Sequence, residues 1–224
     1  MTKLIIALVL ALTSTFANAQ LKGSGKTITK QFEYKNFDKL SFEGFNDNIQ
    51  IEIGTSFKVE ITMKETNEKY IQFFYDEKEM ELSMKVEAKT GKELYDERET
   101  YQIKITLPEI SVIKNFSNSD ISVKGIVGRY FRVETNGNGS VICQGLIDQL
   151  DIEKVGNGDI NAKKLVAKNA IIQNTGNGNV IVNVSENLQG NLSGNGDIQN
   201  IGKANFNTKS TKKGNGNLIV NQKS

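Results

Sequence analysis

Three aspartates, Asp120, Asp159 and Asp197, recur at nearly even spacing in the second half of this 224-residue chain. Carboxylates in Gly-rich turns bind calcium in short β-roll repeats, and two acids on either side of a glycosidic bond can cleave it. The spacing opposes both chemistries. Calcium-binding repeats recur every nine residues or so with a second acid. Here the period is near twenty, the second acid is missing, and the intervening copies carry Ser140, Asn179 and Asn217. Calcium at Asp120, Asp159 and Asp197 therefore stands as an alternative to a structural role. Four more acids, Glu93, Asp96, Glu97 and Glu99, crowd "TGKELYDERET", but nothing apolar nearby would raise a carboxyl pKa, so the stretch reads as an exposed loop. The chain has no His, which removes Ser/His and Cys/His nucleophiles and the commonest metal ligand. Its one thiol, Cys143, allows neither an ordinary zinc site nor an internal disulfide, and reads as a small buried apolar residue. No phosphate-loop spacing follows the glycines, so no catalytic residue, metal or cofactor is expected.

The elements that carry these aspartates are repeats. Gly137, Gly156, Gly176, Gly194 and Gly214 each open a Gly-Asn-Gly-x unit, and Ser117-Asn118-Ser119-Asp120 is a degenerate copy ahead of them. An apolar residue follows each unit at a fixed offset: Ile121, Val141, Ile160, Val180, Ile198 and Leu218. The next inward series reads Val123, Cys143, Ala162, Val182, Asn200 and Val220. Before the units come Phe131/Val133, Leu150/Ile152 and Ala170/Ile172, fading to Leu188/Gly190 and Thr208/Ser210. One such unit cannot bury its own apolar face, whereas stacked copies bury a continuous one. The fold class is all-β: a right-handed parallel β-helix, or β-solenoid, with coils of about 20 residues, preceded by a more conventional strand-rich segment. Superposed turns would align Asn138, Asn157, Asn177, Asn195 and Asn215 as a ladder of side-chain amides. Gly139, Gly158, Gly178, Gly196 and Gly216 would complete tight corners by adopting positive φ, which Asn also tolerates. Alternating Asp with Ser or Asn at the fourth motif position keeps carboxylates two coils apart, near 10 Å, where repulsion is weak and screened.

Three segments follow from these patterns. Residues 1–19 read as a signal peptide, with Lys3, the apolar run Leu4 to Leu12, and Ala17-Asn18-Ala19 before cleavage between Ala19 and Gln20. Residues 20–110 form the strand-rich part, and 111–224 the solenoid, with both expected to make one continuous unit. In the first part Ile49/Ile51/Ile53, Phe57/Val59/Ile61/Met63, Met80/Leu82/Met84/Val86 and Tyr101/Ile103/Ile105/Leu107 alternate with polar neighbours, as half-buried strands do. A short helical turn fits Thr66 to Lys69, followed by a strand through Phe73 and Tyr75 into a charged hairpin. Charge divides along the same line: 14 basic minus 18 acidic residues gives −4 for 20–110, and 13 minus 8 gives +5 for 111–224. No basic run interleaves with aromatics, so no nucleic-acid partner is expected, and no later stretch has the length and apolarity of a transmembrane segment.

The stretches "FDKLSFEGFNDNIQIEIG", "FKVEITM", "ELSMKVEA" and "YQIKITLPEISVIKNFSNSDISVKG", with the later GNGD copies, resemble the putative auto-transporter adhesin head domain, the GIN domain family of exported bacterial proteins. The likeness runs from about Phe37 to Val220, although Gly replaces the usual Ser at the first turn position in five of six copies. It implies a right-handed β-helical architecture and a place in the periplasm, in the cell envelope or outside the cell. It supplies no catalytic residues. The expected function is an exported, non-enzymatic envelope or cell-surface binding module that presents flat solenoid faces to a glycan or a surface protein. Two alternatives remain: a polysaccharide-acting β-helix enzyme, or a structural envelope protein that self-associates as a homo-oligomer through an uncapped terminal coil.

Overall fold

The computed structural model describes residues 26–87 and 101–221. The expected signal peptide, its expected cleavage site and the expected loop of Glu93, Asp96, Glu97 and Glu99 lie outside the described residues. Four long strands dominate: β9 (Ile121–Thr135), β10 (Val141–Lys154), β11 (Ile160–Asn174) and β12 (Val180–Leu192). They pair in parallel, Val141 opposite both Ile121 and Ile160, and Ile160 opposite Val180, so one repeat is one coil of the stack. β13 (Ile198–Asn200) and β15 (Leu218–Val220) continue the stack on one wall, and β14 (Thr211–Lys212) continues it on the other. The result is a nearly all-β β-solenoid of about five turns, with coils of about 20 residues, preceded by strands.

Each long strand lines two walls. The start of β9 pairs with β3 (Ile49–Ile53) and its end with β8 (Val112–Phe116), so the chain turns midway. Shifts in pairing register between Cys143 and Gly145, and between Asn161 and Val166, mark this bend in the next coils. Side chains on both halves alternate in and out, and the inward ones stack as columns. Ile121, Val141, Ile160, Val180 and Ile198 are at most 1% exposed, as are Val123, Cys143, Ala162 and Val182. Burial pushes the Cys143 thiol up to about 12, so it stays protonated at neutral pH.

The preceding strands extend both walls. On one, β3 pairs with β7 (Tyr101–Leu107), which is followed antiparallel by β4 (Lys58–Lys64) and β1 (Thr27–Phe32). On the other, β2 (Lys39–Glu43) joins β8 to β6 (Glu81–Val86), and β5 (Ile71–Asp76) pairs antiparallel with β6. Aromatic contacts fill the core at this end, with Phe45 meeting Tyr101 edge-on at 5.7 Å and Phe37 meeting Phe57 at 5.1 Å. The expected helical turn is a 3₁₀ turn at Glu65–Tyr70.

One local expectation is corrected. Met80 does not join the inward row of Leu82, Met84 and Val86. It sits in the turn before β6 at φ 52° and 45% exposed, because its carbonyl accepts the N–H groups of Asp38 and Lys39. Where the inward pattern fades near the C-terminus, Phe206 fills the space Gly190 leaves. A Cβ on Gly190 would lie 2.5 Å from the Phe206 ring.

Candidate functional site

The corners between walls superpose, and their asparagines bond in series. Asn138 Nδ2 donates to Asn118 Oδ1 at 2.8 Å, Asn157 to Asn138 at 2.8 Å, Asn177 to Asn157 at 2.8 Å, Asn195 to Asn177 at 2.7 Å, and Asn215 to Asn195 at 2.8 Å. Asn118 in turn donates to Asn46 at 3.1 Å, which adds a seventh rung from the strand-rich part. Reading the repeats misses Asn46 because Phe45 and Asp47 flank it in place of Gly or Ser. One signal was present: Asn46 stands three residues before Ile49, the offset that separates Asn118 from Ile121 and Asn157 from Ile160.

The fourth motif position makes a second ladder, from side chain to backbone. Asp120 Oδ1 accepts the Ser140 N–H at 2.7 Å, and Ser140 Oγ accepts that of Asp159 at 3.2 Å. Asp159 then accepts from Asn179, Asn179 from Asp197, and Asp197 from Asn217. Aspartate, serine and asparagine alternate here because each supplies an acceptor oxygen. The carboxylates sit in alternate coils, each engaged by an amide of the next. Among the described residues no three His, Cys, Asp or Glu side chains gather as a metal site would require.

The corner glycines do not serve the conformation expected of them. Positive φ occurs at Gly44, Gly125, Gly128 and Gly145, and at neither Gly158 nor its equivalents. Close approach imposes glycine instead. A Cβ on Gly139 would lie 1.9 Å from Ser119 O, on Gly158 2.1 Å from Gly139 O, on Gly178 2.3 Å from Gly158 O, and on Gly196 2.0 Å from Gly178 O. On Gly216 it would lie 2.3 Å from Gly196 O.

Beneath the corner lies a buried column that sequence reasoning overlooked: Asn115, Lys154 and Asn174. Asn115 accepts the N–H two residues on and donates to the carbonyl four residues on; Asn174 does the same, and so does Asn200 at the other bend. The signal was an Asn two positions before a small turn residue, repeated three times. Lys154 fills this column in its coil, with Nζ 2.7 Å from Gly156 O and 1% exposure. Burial lowers its pKa to about 8, and Asp159 opposes that shift only in part.

The outer face formed by the second halves of the coils is polar and broken by one hollow. Tyr130, Gln149, Asn169 and Asn187 stand in register across it, with Arg132, Asp151, Ile171 and Gln189 in the next column. At its start, Tyr130 Oη donates to Asp151 at 3.1 Å, Gln149 donates to Asp151 at 2.7 Å, and Arg132 bridges Glu134 and Glu153. Further along, Asn187 donates to Asn169 at 2.7 Å. There the segment Asn207 to Lys209 leaves the regular coil path and walls a groove of about 320 Å³ over Gln149, Asn169, Ile171, Asn187 and Gln189. The lining offers amide donors and acceptors, one exposed aliphatic side chain and one ammonium group, and no acid.

A family model described as "Putative auto-transporter adhesin, head GIN domain" matches residues 36–204. Among solved structures, a putative adhesin from Bacteroides fragilis superposes with a TM-score of 0.66 at 20% identity, covering 90% of this chain and 100% of that one. A putative lipid binding protein from Parabacteroides distasonis superposes with a TM-score of 0.54 at 16% identity, covering 88% and 98%. Among curated proteins none matches.

Proposed function

The chain belongs to the putative auto-transporter adhesin, head GIN domain family, and from that premise we propose that it is an exported, non-enzymatic binding protein of the cell envelope or surface that holds a glycan on its outer solenoid face. Export is supported by Lys3, the apolar run Leu4 to Leu12 and the Ala17-Asn18-Ala19 site. Among the described residues no helix is long and apolar enough to cross a membrane.

The observation that carries the reading is the groove over Asn169, Asn187 and Gln189. A sugar offers adjacent hydroxyls, which donate and accept, and an apolar C–H face. Side-chain amides match the hydroxyls, since each can donate and accept at once, and exposed Ile171 suits the C–H face. An extended regular surface also suits a repetitive chain better than a compact ligand. Hydrolysis has no comparable support. Asp120, Asp159 and Asp197 lie two coils apart, near 10 Å, beyond the usual separation of paired glycosidase acids.

The two ladders are assigned a structural role, because their side chains bond in unbroken series from coil to coil. Glycan-array binding separates the surfaces. The double variant Asn169→Ala/Asn187→Ala should lose binding and lose far less thermal stability than a corner variant, since it breaks only the Asn187–Asn169 bond and a long bond to Asp148 O on the outer surface. The double variant Asn157→Ala/Asn177→Ala should lose thermal stability. Full glycan binding by the first variant, or unchanged stability with lost binding in the second, would overturn the assignment.

A further inference from the structure

The mid-strand bend, on the edge away from the asparagine ladder, carries the opposite chemistry. Val127, Leu146 and Val166 lie side by side in register and are 72%, 57% and 40% exposed. Other exposed aliphatic side chains of the coils stand singly, Ile142 between Ser122 and Asn161 and Ile171 between Asp151 and Gln189, so three adjacent ones stand out. Around them the same bend exposes Lys124, Arg129, Lys163, Lys164 and Lys203. None of these five makes an ion pair among the described residues. The acids there among the described residues are exposed Glu52, opposite Lys124 in register, Asp148, which is bonded to Lys168 at 2.7 Å, and Glu186, whose charge also acts on Lys168. The excess positive charge of the repeat region is thus gathered on one edge rather than spread around the coils.

We propose that this edge docks on the anionic headgroup layer of a lipid bilayer, with Val127, Leu146 and Val166 entering the layer and the five cations facing its phosphates. Shape and charge together select this occupant. The row spans three coils, roughly 10 Å along the stack. It is a convex ridge, and three side chains fall far short of the ~800 Å² per partner that a stable protein interface buries. A short apolar row bordered by Lys and Arg is the composition of surface-lying membrane anchors, which insert only ~5–10 Å. Each cation held at an anionic surface strengthens binding by about fivefold.

The test is co-sedimentation of the purified chain with vesicles of phosphatidylcholine alone and of equal parts phosphatidylcholine and phosphatidylglycerol. Binding is expected only to the anionic vesicles and should weaken as salt is raised. Lys163→Gln with Lys164→Gln should weaken it roughly twenty-five-fold, and Leu146→Ser with Val127→Thr roughly tenfold. Lys212→Gln with Lys213→Gln, away from the ridge, should leave it unchanged. All replaced side chains are exposed, so melting temperatures should match the parent. Equal binding to both vesicle types, binding to neither, or an apolar-row variant that sediments like the parent would overturn the proposal. A solution dimer that the apolar-row variant dissolves would also overturn it, by assigning the ridge to a second copy of the chain.

Discussion

At Gly158 a hydrogen is all the stack admits, because the carbonyl of Gly139 would meet any Cβ at 2.1 Å. A requirement for positive φ would also exclude side chains there, but Gly158 does not lie in the left-handed region. Gly158→Ala should therefore destabilise the protein by at least ~1–3 kcal/mol, the range for forcing volume into a packed site. An unchanged denaturation midpoint would refute the close-approach account. Lys154 gives a second prediction at this scale. Its pKa falls from 10.5 in the unfolded chain to about 8 when folded. Between those values the unfolded state holds the extra proton, so the lysine's cost is full below about pH 8 and fades as pH rises toward 10.5. Lys154→Asn, which places there the residue Asn115 and Asn174 supply in other coils, should raise stability near neutral pH. Its advantage should shrink steadily across that window in denaturant titrations. A difference independent of pH would contradict burial of the charged amine. Sequence spacing marked every corner glycine but gave the wrong reason for it, since φ preference is local and the clash comes from a residue twenty positions away. Nothing local marked Lys154 as buried, because a lysine next to a turn ordinarily lies in water.

The ladder is the element that makes neighbouring coils depend on one another. Asn177 donates to Asn157 and accepts from Asn195. Asn177→Asp would keep the acceptor and lose the donor, placing a carboxylate against the Asn157 oxygen. The expected loss is about 1–2 kcal/mol in thermal or chemical denaturation, the usual size for a broken hydrogen bond plus repulsion at a partly wet site. The repeats, the inward columns and the five corner asparagines were legible because parallel stacking imposes a period on the sequence. Asn46 and the pairing of β2 and β3 with later strands were not, because partners so far apart in the chain leave no shared period. Phe206 escaped for a similar reason: it fills the gap at Gly190 from the next coil. Phe206→Ala should cost about 2 kcal/mol or more, with the loss read from the same denaturation curves.

At the scale of the whole molecule, stability should decline along the stack. Long strands β9 to β11 are paired on both sides, whereas β13, β14 and β15 hold two or three residues each. Hydrogen exchange should therefore be slowest in the β9–β11 coils and fastest around β14 and β15, since local opening follows the contacts each unit makes. Uniform protection from β9 to β15 would instead mark a single cooperative unit. Charge is segregated at the same scale. Counting residues yields a net +5 for the repeat region without its location; stacking the coils gathers it at one bend, beside an aliphatic row no single repeat reveals.

One consequence of the corners concerns length. Each corner takes its bonding partners from the copy beneath and offers equivalent ones to the copy above, and among the described residues no corner contact specifies how many copies there should be. Deleting or duplicating two successive repeats would rejoin surfaces that already fit and keep the alternation of Asp with Ser or Asn. The protein can thus be lengthened or shortened in steps of two storeys, changing its reach while keeping its cross-section.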